Sequence, residues 1–283
     1  MTMIIKKRKI FVIDLDGTFL NDSKIISSGL LDVCKELVEE DYYILIATGR
    51  APSDTIQYYK ILEMDTILIN YNGGLIWKPN TEQKYASIYL NNTSGIFTYL
   101  LENFQTIGIQ NVLACSDEKC YFYNEENPYL IELMKSDDLR FEVIGKQIFN
   151  LSRCQRIIIS LNDEKLIDKW TLVFRYLFRD IDIFKWSNAK NIIDISLPRK
   201  SVSKWKALKS LLEPEKNYYI ISVGDASNDI EMLENSTVGI AMANADAEVK
   251  SIANYVTKFD NNNDGLSEFM RNNKRIWKNI ILK

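Results

Sequence analysis

The run Lys9-Ile10-Phe11-Val12-Ile13-Asp14 is apolar without a break and ends abruptly in an acid. A strand with one wet face would alternate apolar and polar residues. Continuous apolar character instead predicts a strand covered on both faces, as in parallel sheets. The same grammar repeats downstream. A polar turn leads to a helix over 27–40, with Leu30, Leu31, Val33, Cys34, Leu37 and Val38 at helical spacing. A second buried strand over 43–47 ends at Thr48-Gly49-Arg50, and a helix over 53–62 precedes a third strand over 66–69, ending near Asn70. Strand–helix–strand alternation predicts an α/β fold, a Rossmann-like parallel-sheet core with right-handed crossovers.

After Trp77 the pattern changes. Residues 84–90 alternate in part, as an antiparallel strand would. A helix is expected over 94–106, strands over 111–114, 120–123, 156–161, 181–185 and 192–195, and helices over 128–136 and 163–178. This aromatic-rich block predicts an inserted α+β cap domain over 81–189, inside a discontinuous core domain over 1–80 and 190–283. From Ser203 the first grammar returns: a helix over 204–212, a buried strand over 218–223 ending at Gly224-Asp225, and a helix over 229–233. A strand over 238–241, a helix over 247–253 and a short strand over 255–257 follow, and 260–264 reads as a loop.

The 283 residues contain no histidine. That removes Ser-His-Asp and Cys-His catalysis and the commonest zinc sites. Hydrolytic chemistry must then run on carboxylates, hydroxyls, lysine and a hard metal. The four cysteines form no CxxC pair and are expected to be reduced structural thiols. A net charge of −3 leaves no broad basic field, so no nucleic-acid partner is expected. No apolar run approaches the roughly 20 residues of a membrane helix. The N-terminus also lacks a signal-peptide pattern, so the expected location is cytoplasmic with no membrane partner.

Ligands of open α/β sheets bind at the carboxyl ends of the strands. With the 9–13 strand central, between the 218–223 and 43–47 strands, the acids Asp14, Asp16 and Asp225 and the hydroxyl of Thr48 converge on one point. Single acids at such positions are often helix caps; the joint pattern points to a site.

Asp14-Leu15-Asp16-Gly17-Thr18 resembles the first motif of the haloacid dehalogenase-like hydrolases. Thr48 resembles the second, Lys204 the third, and Gly224-Asp225-Ala226-Ser227-Asn228-Asp229 the fourth. The inserted block, Asn72-Gly73 and Ala241-Met242-Ala243-Asn244-Ala245 further resemble the Cof-type branch with its large α/β cap. Trp205 stands where that family usually has glycine.

The resemblance implies a Mg2+-dependent phosphatase acting on a small phosphorylated metabolite. A phosphate monoester dianion repels an incoming carboxylate, so positive charge must be gathered first, and carboxylate oxygens suit Mg2+. The implied ligands are the side chains of Asp14 and Asp225 and the backbone carbonyl of Asp16, oriented by Asn228 and Asp229. Asp14 is the expected nucleophile, forming an aspartyl-phosphate, and Asp16 the general acid and base. Thr48 and Lys204 are expected to stabilise the phosphoryl oxygens. Gly49, Arg50, Asn72 and Asn244 are candidate substrate-binding residues. A phosphomutase or a non-catalytic ligand-binding relative of the same fold are the alternatives. Physiological substrate and oligomeric state are not legible in the sequence.

Overall fold

A computed structural model describes residues 5–125, 141–186 and 189–282. The helix expected over 128–136 lies outside the described residues. The chain divides into two compact units. One comprises Met1–Gly49, Ile61–Tyr85 and Ser203–Lys283; the other comprises Arg50–Lys60 and Ala86–Val202.

The first unit is built on an eight-stranded sheet. Its strands are β1 (Lys9–Ile13), β2 (Tyr42–Ala47), β3 (Leu68–Asn70), β4 (Leu75–Lys78), β5 (Gln83–Ser87), β12 (Tyr219–Gly224), β13 (Val238–Ala241) and β14 (Tyr255–Val256). They lie in the order β14-β13-β12-β1-β2-β3-β4-β5. The first six are mutually parallel and β4 turns antiparallel to β3. The strand–helix alternation of the sequence is thus the α/β core it implied. Ile10, Phe11, Val12 and Ile13 are all essentially sealed from solvent, as their unbroken apolar run requires. Burying each such side chain contributes about 1.5–3 kcal/mol. Ile13 pairs with Val223 on one side and Ile46 on the other. Asp14 is therefore level with Gly224 and Ala47, and Asp225 and Thr48 follow one residue beyond.

The helix Ser28–Glu39 starts at Ser27, whose hydroxyl accepts from the Leu30 amide at 3.3 Å and satisfies one open helix-end donor. It buries Leu30, Val33, Cys34 and Leu37, while Val38 faces solvent. The helix Gly265–Asn272 lies beside it, with Ser267 close against Gly29. Its short apolar stripe follows a loop rich in asparagine, and the sequence reading ended before it. Trp277 closes this end of the core: its indole donates to the Met270 carbonyl and its own carbonyl accepts from Tyr42 Oη, both at 2.9 Å.

The second unit carries a six-stranded sheet of β6 (Ile109–Ser116), β7 (Lys119–Phe122), β8 (Phe141–Val143), β9 (Arg156–Leu161), β10 (Asp182–Trp186) and β11 (Ala189–Ser196). Their order is β10-β11-β9-β6-β7-β8. The helices Thr93–Glu102 and Ile167–Leu177 bury Phe97, Leu100, Trp170 and Phe174 against Val112, Ile157 and Ile159 of the sheet. Because β11 pairs with β9 and β10, residues 190–202 lie in this unit and not in the core domain where the sequence reading put them. Conversely, β5 extends the eight-stranded sheet. Trp77 is buried in the first unit, its indole donating to Asn70 Oδ1 at 2.9 Å. The helix Pro52–Ile61 belongs to the second unit up to Lys60, and its Ser53 hydroxyl lies 3.7 Å from Cys120 Sγ of the same unit. All four cysteines are buried free thiols. No described helix is long and apolar enough to cross a membrane.

Candidate active site

Apart from Lys204, which opens a helix, each chemically useful side chain of the first unit enters from the carboxyl end of a strand or the loop after it. Asp14 leaves β1 with its amide donating to the Val223 carbonyl at 3.2 Å, which continues the ladder one residue past the strand. The chain then folds back tightly, and the Thr18, Phe19 and Leu20 amides all donate to the Leu15 carbonyl. Gly17 makes this turn with φ of 71°, and a Cβ there would strike the Asp225 carboxylate. The turn also aims Thr18 across at β12, so that its hydroxyl donates to Asp225 Oδ1 at 2.7 Å. Thr18 was part of the recognised motif, but its partner lies 207 positions away and sequence reasoning gave it no role.

Lys204 is wholly sealed from solvent at the start of the helix Lys204–Ser210. Its Nζ donates to Asp14 Oδ1 at 2.5 Å and to Asp229 Oδ1 at 2.7 Å. Ser203 caps the helix by accepting from the Lys206 amide, and Trp205 is only half-buried beside it. The departure from glycine at 205 therefore leaves the helix start intact. Asp229 spends its other oxygen on the amides of Asp225 and Ala226, both at 3.1 Å. It is thus a brace joining Lys204 to the loop that carries Asp225.

Asp14, Asp225 and Asp229 offer oxygens all within 4.8 Å of one another. Three carboxylates against one ammonium leave two negative charges in a desolvated place. Burial pushes the Asp14 carboxyl well above the usual range, against the pull of Lys204. Burial likewise pushes Asp225 up to about 6. Lys204 stays charged: burial works against it, but Asp14 and Asp229 raise its pKa overall. A divalent cation with hard oxygen ligands fits this donor set. Asp14 Oδ2 and Asp225 Oδ2 are the oxygens that the hydrogen bonds above leave over, whereas both oxygens of Asp229 are engaged.

The other expected residues divide. Asn72 and Asn228 meet at 2.8 Å, amide to amide oxygen, and the Asn72 backbone amide donates to the Thr48 carbonyl at 2.9 Å. Gly49 lies against the Asn72 side chain. Thr48 is buried, its amide donating to the Ile69 carbonyl. Asn244 donates to the Gly17 carbonyl at 2.7 Å and so props the turn. Asp16 stands apart from the buried cluster and is half exposed. Its Oδ1 accepts from Lys24 Nζ at 2.6 Å, a partner that sequence reasoning did not pick out. Arg50 belongs to the second unit, where it donates to the Asp54 carbonyl at 3.3 Å and stacks over the Tyr58 ring.

The family description of haloacid dehalogenase-like hydrolases matches residues 11–270, from the strand that delivers Asp14 to the helix after the asparagine loop. The chain belongs to this family. It is a phosphatase of the Cof-type branch. This hydrolase is 27% identical over 278 residues to the 5-amino-6-(5-phospho-D-ribitylamino)uracil phosphatase YitU of Bacillus subtilis, spanning 94% of this chain and 97% of the relative. Its fold matches a haloacid dehalogenase-like hydrolase from Bacteroides thetaiotaomicron with a TM-score of 0.79 at 22% identity, over 94% of this chain and 99% of the other. A subclass IIB sugar phosphatase matches with a TM-score of 0.69 at 19% identity, over 95% and 99%.

Proposed function

We propose that this hydrolase releases phosphate from a small phosphorylated metabolite through an aspartyl-phosphate on Asp14, with Mg2+ held at Asp14, Asp225 and the Asp16 carbonyl. One observation carries the reading: Lys204 pins one oxygen of the buried Asp14 carboxylate at 2.5 Å, and the other is left over for chemistry. When bound, the cation supplies positive charge that offsets repulsion between that carboxylate and the phosphate dianion.

The Asp14 carboxylate attacks phosphorus through one of its oxygens, forming the acyl-phosphate as the bond to the leaving oxygen breaks. Asp16 gives its proton to that oxygen, so the alcohol departs neutral. The ionised Asp16 then takes a proton from water as the water attacks phosphorus. The Asp14–phosphorus bond breaks, and inorganic phosphate leaves. Lys204 and the Thr48 hydroxyl offset the charge spreading over the phosphoryl oxygens. Asp229 acts through Lys204 and Asn228 through Asn72, each as a brace. Gly49, Asn72 and Asn244 are the candidate substrate contacts within the first unit.

The names of the relatives support hydrolysis over phosphoryl shuttling. YitU acts on a phosphorylated ribityl pyrimidine and the structural neighbour on sugar phosphates, which favours a small polyol or sugar monoester here. A panel of phosphorylated metabolites, read by free phosphate with and without Mg2+, tests the reading. Phosphate release dependent on Mg2+ is expected. Isomer formation without release would point to a mutase, and no turnover of any monoester would overturn the proposal.

A further inference from the structure

The stretch 260–264, an unremarkable loop by sequence, is built around the turn that carries Asp16. Residues 15–25 are cross-braced internally: the Asn21 amide donates to the Ile25 carbonyl, the Lys24 amide to the Asn21 carbonyl, and the Ile25 amide to Asn21 Oδ1. Three asparagines clamp this segment from outside. Asn261 Nδ2 donates to the Leu20 carbonyl at 3.0 Å and to Asp22 Oδ1 at 3.1 Å. Asn262 makes a reciprocal pair with Asp22: its Nδ2 donates to Asp22 Oδ2 and its Oδ1 accepts from the Asp22 amide, both at 3.0 Å. The Asn261 amide donates to Asn244 Oδ1 at 3.2 Å, and Asn244 donates in turn to the Gly17 carbonyl at 2.7 Å.

The clamp itself is rigid. Asp260 caps it, accepting from the Asn262 amide at 3.0 Å and from Asn263 Nδ2 at 2.8 Å. The Gly265 amide returns to the Asp260 carbonyl at 3.0 Å, and any Cβ at 265 would collide with the Phe259 carbonyl. Two anchor points, Gly17 and Leu20, therefore bracket the chain just after Asp16, and Asp16 is itself bridged to Leu20. Asp16 is half exposed on a turn, and its Oδ1 is held by Lys24 Nζ at 2.6 Å, from the same cross-braced segment. A general acid must nonetheless reach the leaving oxygen within hydrogen-bond distance. The asparagine clamp holds the backbone that carries both Asp16 and its partner Lys24.

We infer that Asn261, seconded by Asn262 and acting through Leu20 and Asp22, is a positioning residue for Asp16 and hence for protonation of the leaving group. The inference rests on the phosphatase reading above. Its signature is selective. A leaving group that departs as a stable phenolate needs no proton, whereas an alkoxide does.

The test compares Asn261→Ala and Asp22→Ala with the parent enzyme in saturating Mg2+. The readout is kcat/KM for 4-nitrophenyl phosphate and for the best alkyl phosphate of the metabolite panel, because kcat/KM reports the first phosphoryl transfer. Asp22 is exposed, so its variant folds even if Asn261→Ala does not. Misplacing a catalytic group from a distance costs up to about 100-fold, so the alkyl phosphate rate should fall about 10-fold or more and the nitrophenyl rate less than about 3-fold. Asp22→Asn, which keeps an acceptor for Asn261, should recover most of the alkyl rate. Equal losses on both substrates, no loss on either, or loss of Mg2+-induced thermal stabilisation in both alanine variants would overturn the inference. Parent enzyme inactive on every ester would instead sink the phosphatase reading, and this inference with it.

Discussion

Lys204 reaches Asp14 at 2.5 Å across 190 positions of sequence, with no part of the lysine open to solvent. Such a contact holds the Asp14 carboxylate in one rotamer, and it keeps two buried carboxylates, Asp14 and Asp229, from facing each other unscreened. Lys204→Met should therefore hurt twice. Losing a charge-stabilising donor costs about 100- to 1,000-fold in kcat. Breaking a buried pair by removing one partner costs about 3–5 kcal/mol. The stability loss should be larger at pH 8 than at pH 5.5, because the raised Asp14 carboxyl takes up a proton as pH falls. Chemical denaturation at the two pH values, beside steady-state kinetics, checks both parts; unchanged stability would deny the pair its structural role.

The raised carboxyl pKa values fix how Mg2+ and pH must interact. Burial takes Asp225 from its ordinary 3.8 to about 6, and shifts Asp14 in the same direction. The folded metal-free protein thus holds these protons more tightly than the unfolded chain. The contribution of Asp225 to stability is complete below about pH 4 and is lost as pH rises through about 6, and that of Asp14 is displaced upward in the same way. A cation replaces the lost protons. Saturating Mg2+ should accordingly raise the melting temperature strongly at pH 8 and weakly at pH 5; at 100 times Kd the gain approaches ~2.7 kcal/mol. Equal gains at both pH values would remove Asp14 and Asp225 as the ligands.

Much of this was legible because strands buried on both faces announce themselves. The unbroken run before Asp14 fixed β1, and equally apolar runs ending at Thr48 and Asp225 supplied its neighbours. Side-chain partners within the site were not legible. Nothing local to Thr18 says that it bonds Asp225, and nothing local to Asp22 says that it meets Asn261 and Asn262. Those pairings are set by sheet order and turn geometry, which periodicity does not encode. The 190–202 segment was misassigned for a related reason. β11 carries Ile192, Ile193 and Ile195 among polar residues, a pattern that does not say which sheet it joins, and its antiparallel pairing with β9 and β10 puts it in the second unit.

Gly17 sits where φ is 71° and where any Cβ meets the Asp225 carboxylate. Gly17→Ala must strain the turn and push the carboxylate aside. A destabilisation of about 1–3 kcal/mol is expected from the backbone, with Mg2+ affinity reduced about 10- to 100-fold through the displaced ligand. Thermal melts with graded Mg2+ separate the two effects. Retained affinity would show that Asp225 does not need its present position to bind the cation.

Asp14→Asn keeps the size of the side chain and an acceptor for Lys204 but removes the carboxylate proposed as the nucleophile. Turnover should fall by at least about 10,000-fold, the scale seen when a covalent nucleophile is removed, while circular dichroism stays native. Acid-quenched parent enzyme should carry one phosphoryl group on the peptide containing Asp14, and the variant none. A labelled peptide elsewhere would reassign the nucleophile.

Thr18→Val isolates a single bond. The hydroxyl of Thr18 donates to Asp225 Oδ1 at 2.7 Å, and that donation opposes the upward pull of burial on the Asp225 carboxyl. Valine fills the same space, and Thr18 is almost fully buried, so no water is expected to take the hydroxyl's place. A hydrogen bond to a charged group contributes about 1.5–3 kcal/mol. Removing it should push the Asp225 pKa further up and weaken Mg2+ about 10-fold or more at pH 7. At pH 8.5 the carboxyl is ionised in both proteins, so most of the deficit should vanish. Thr18→Ser, which keeps the donor, should stay near the parent at both pH values. Activity titrated with Mg2+ across that range reads the effect directly, and a deficit independent of pH would mean that Thr18 acts by shape rather than by its bond to Asp225.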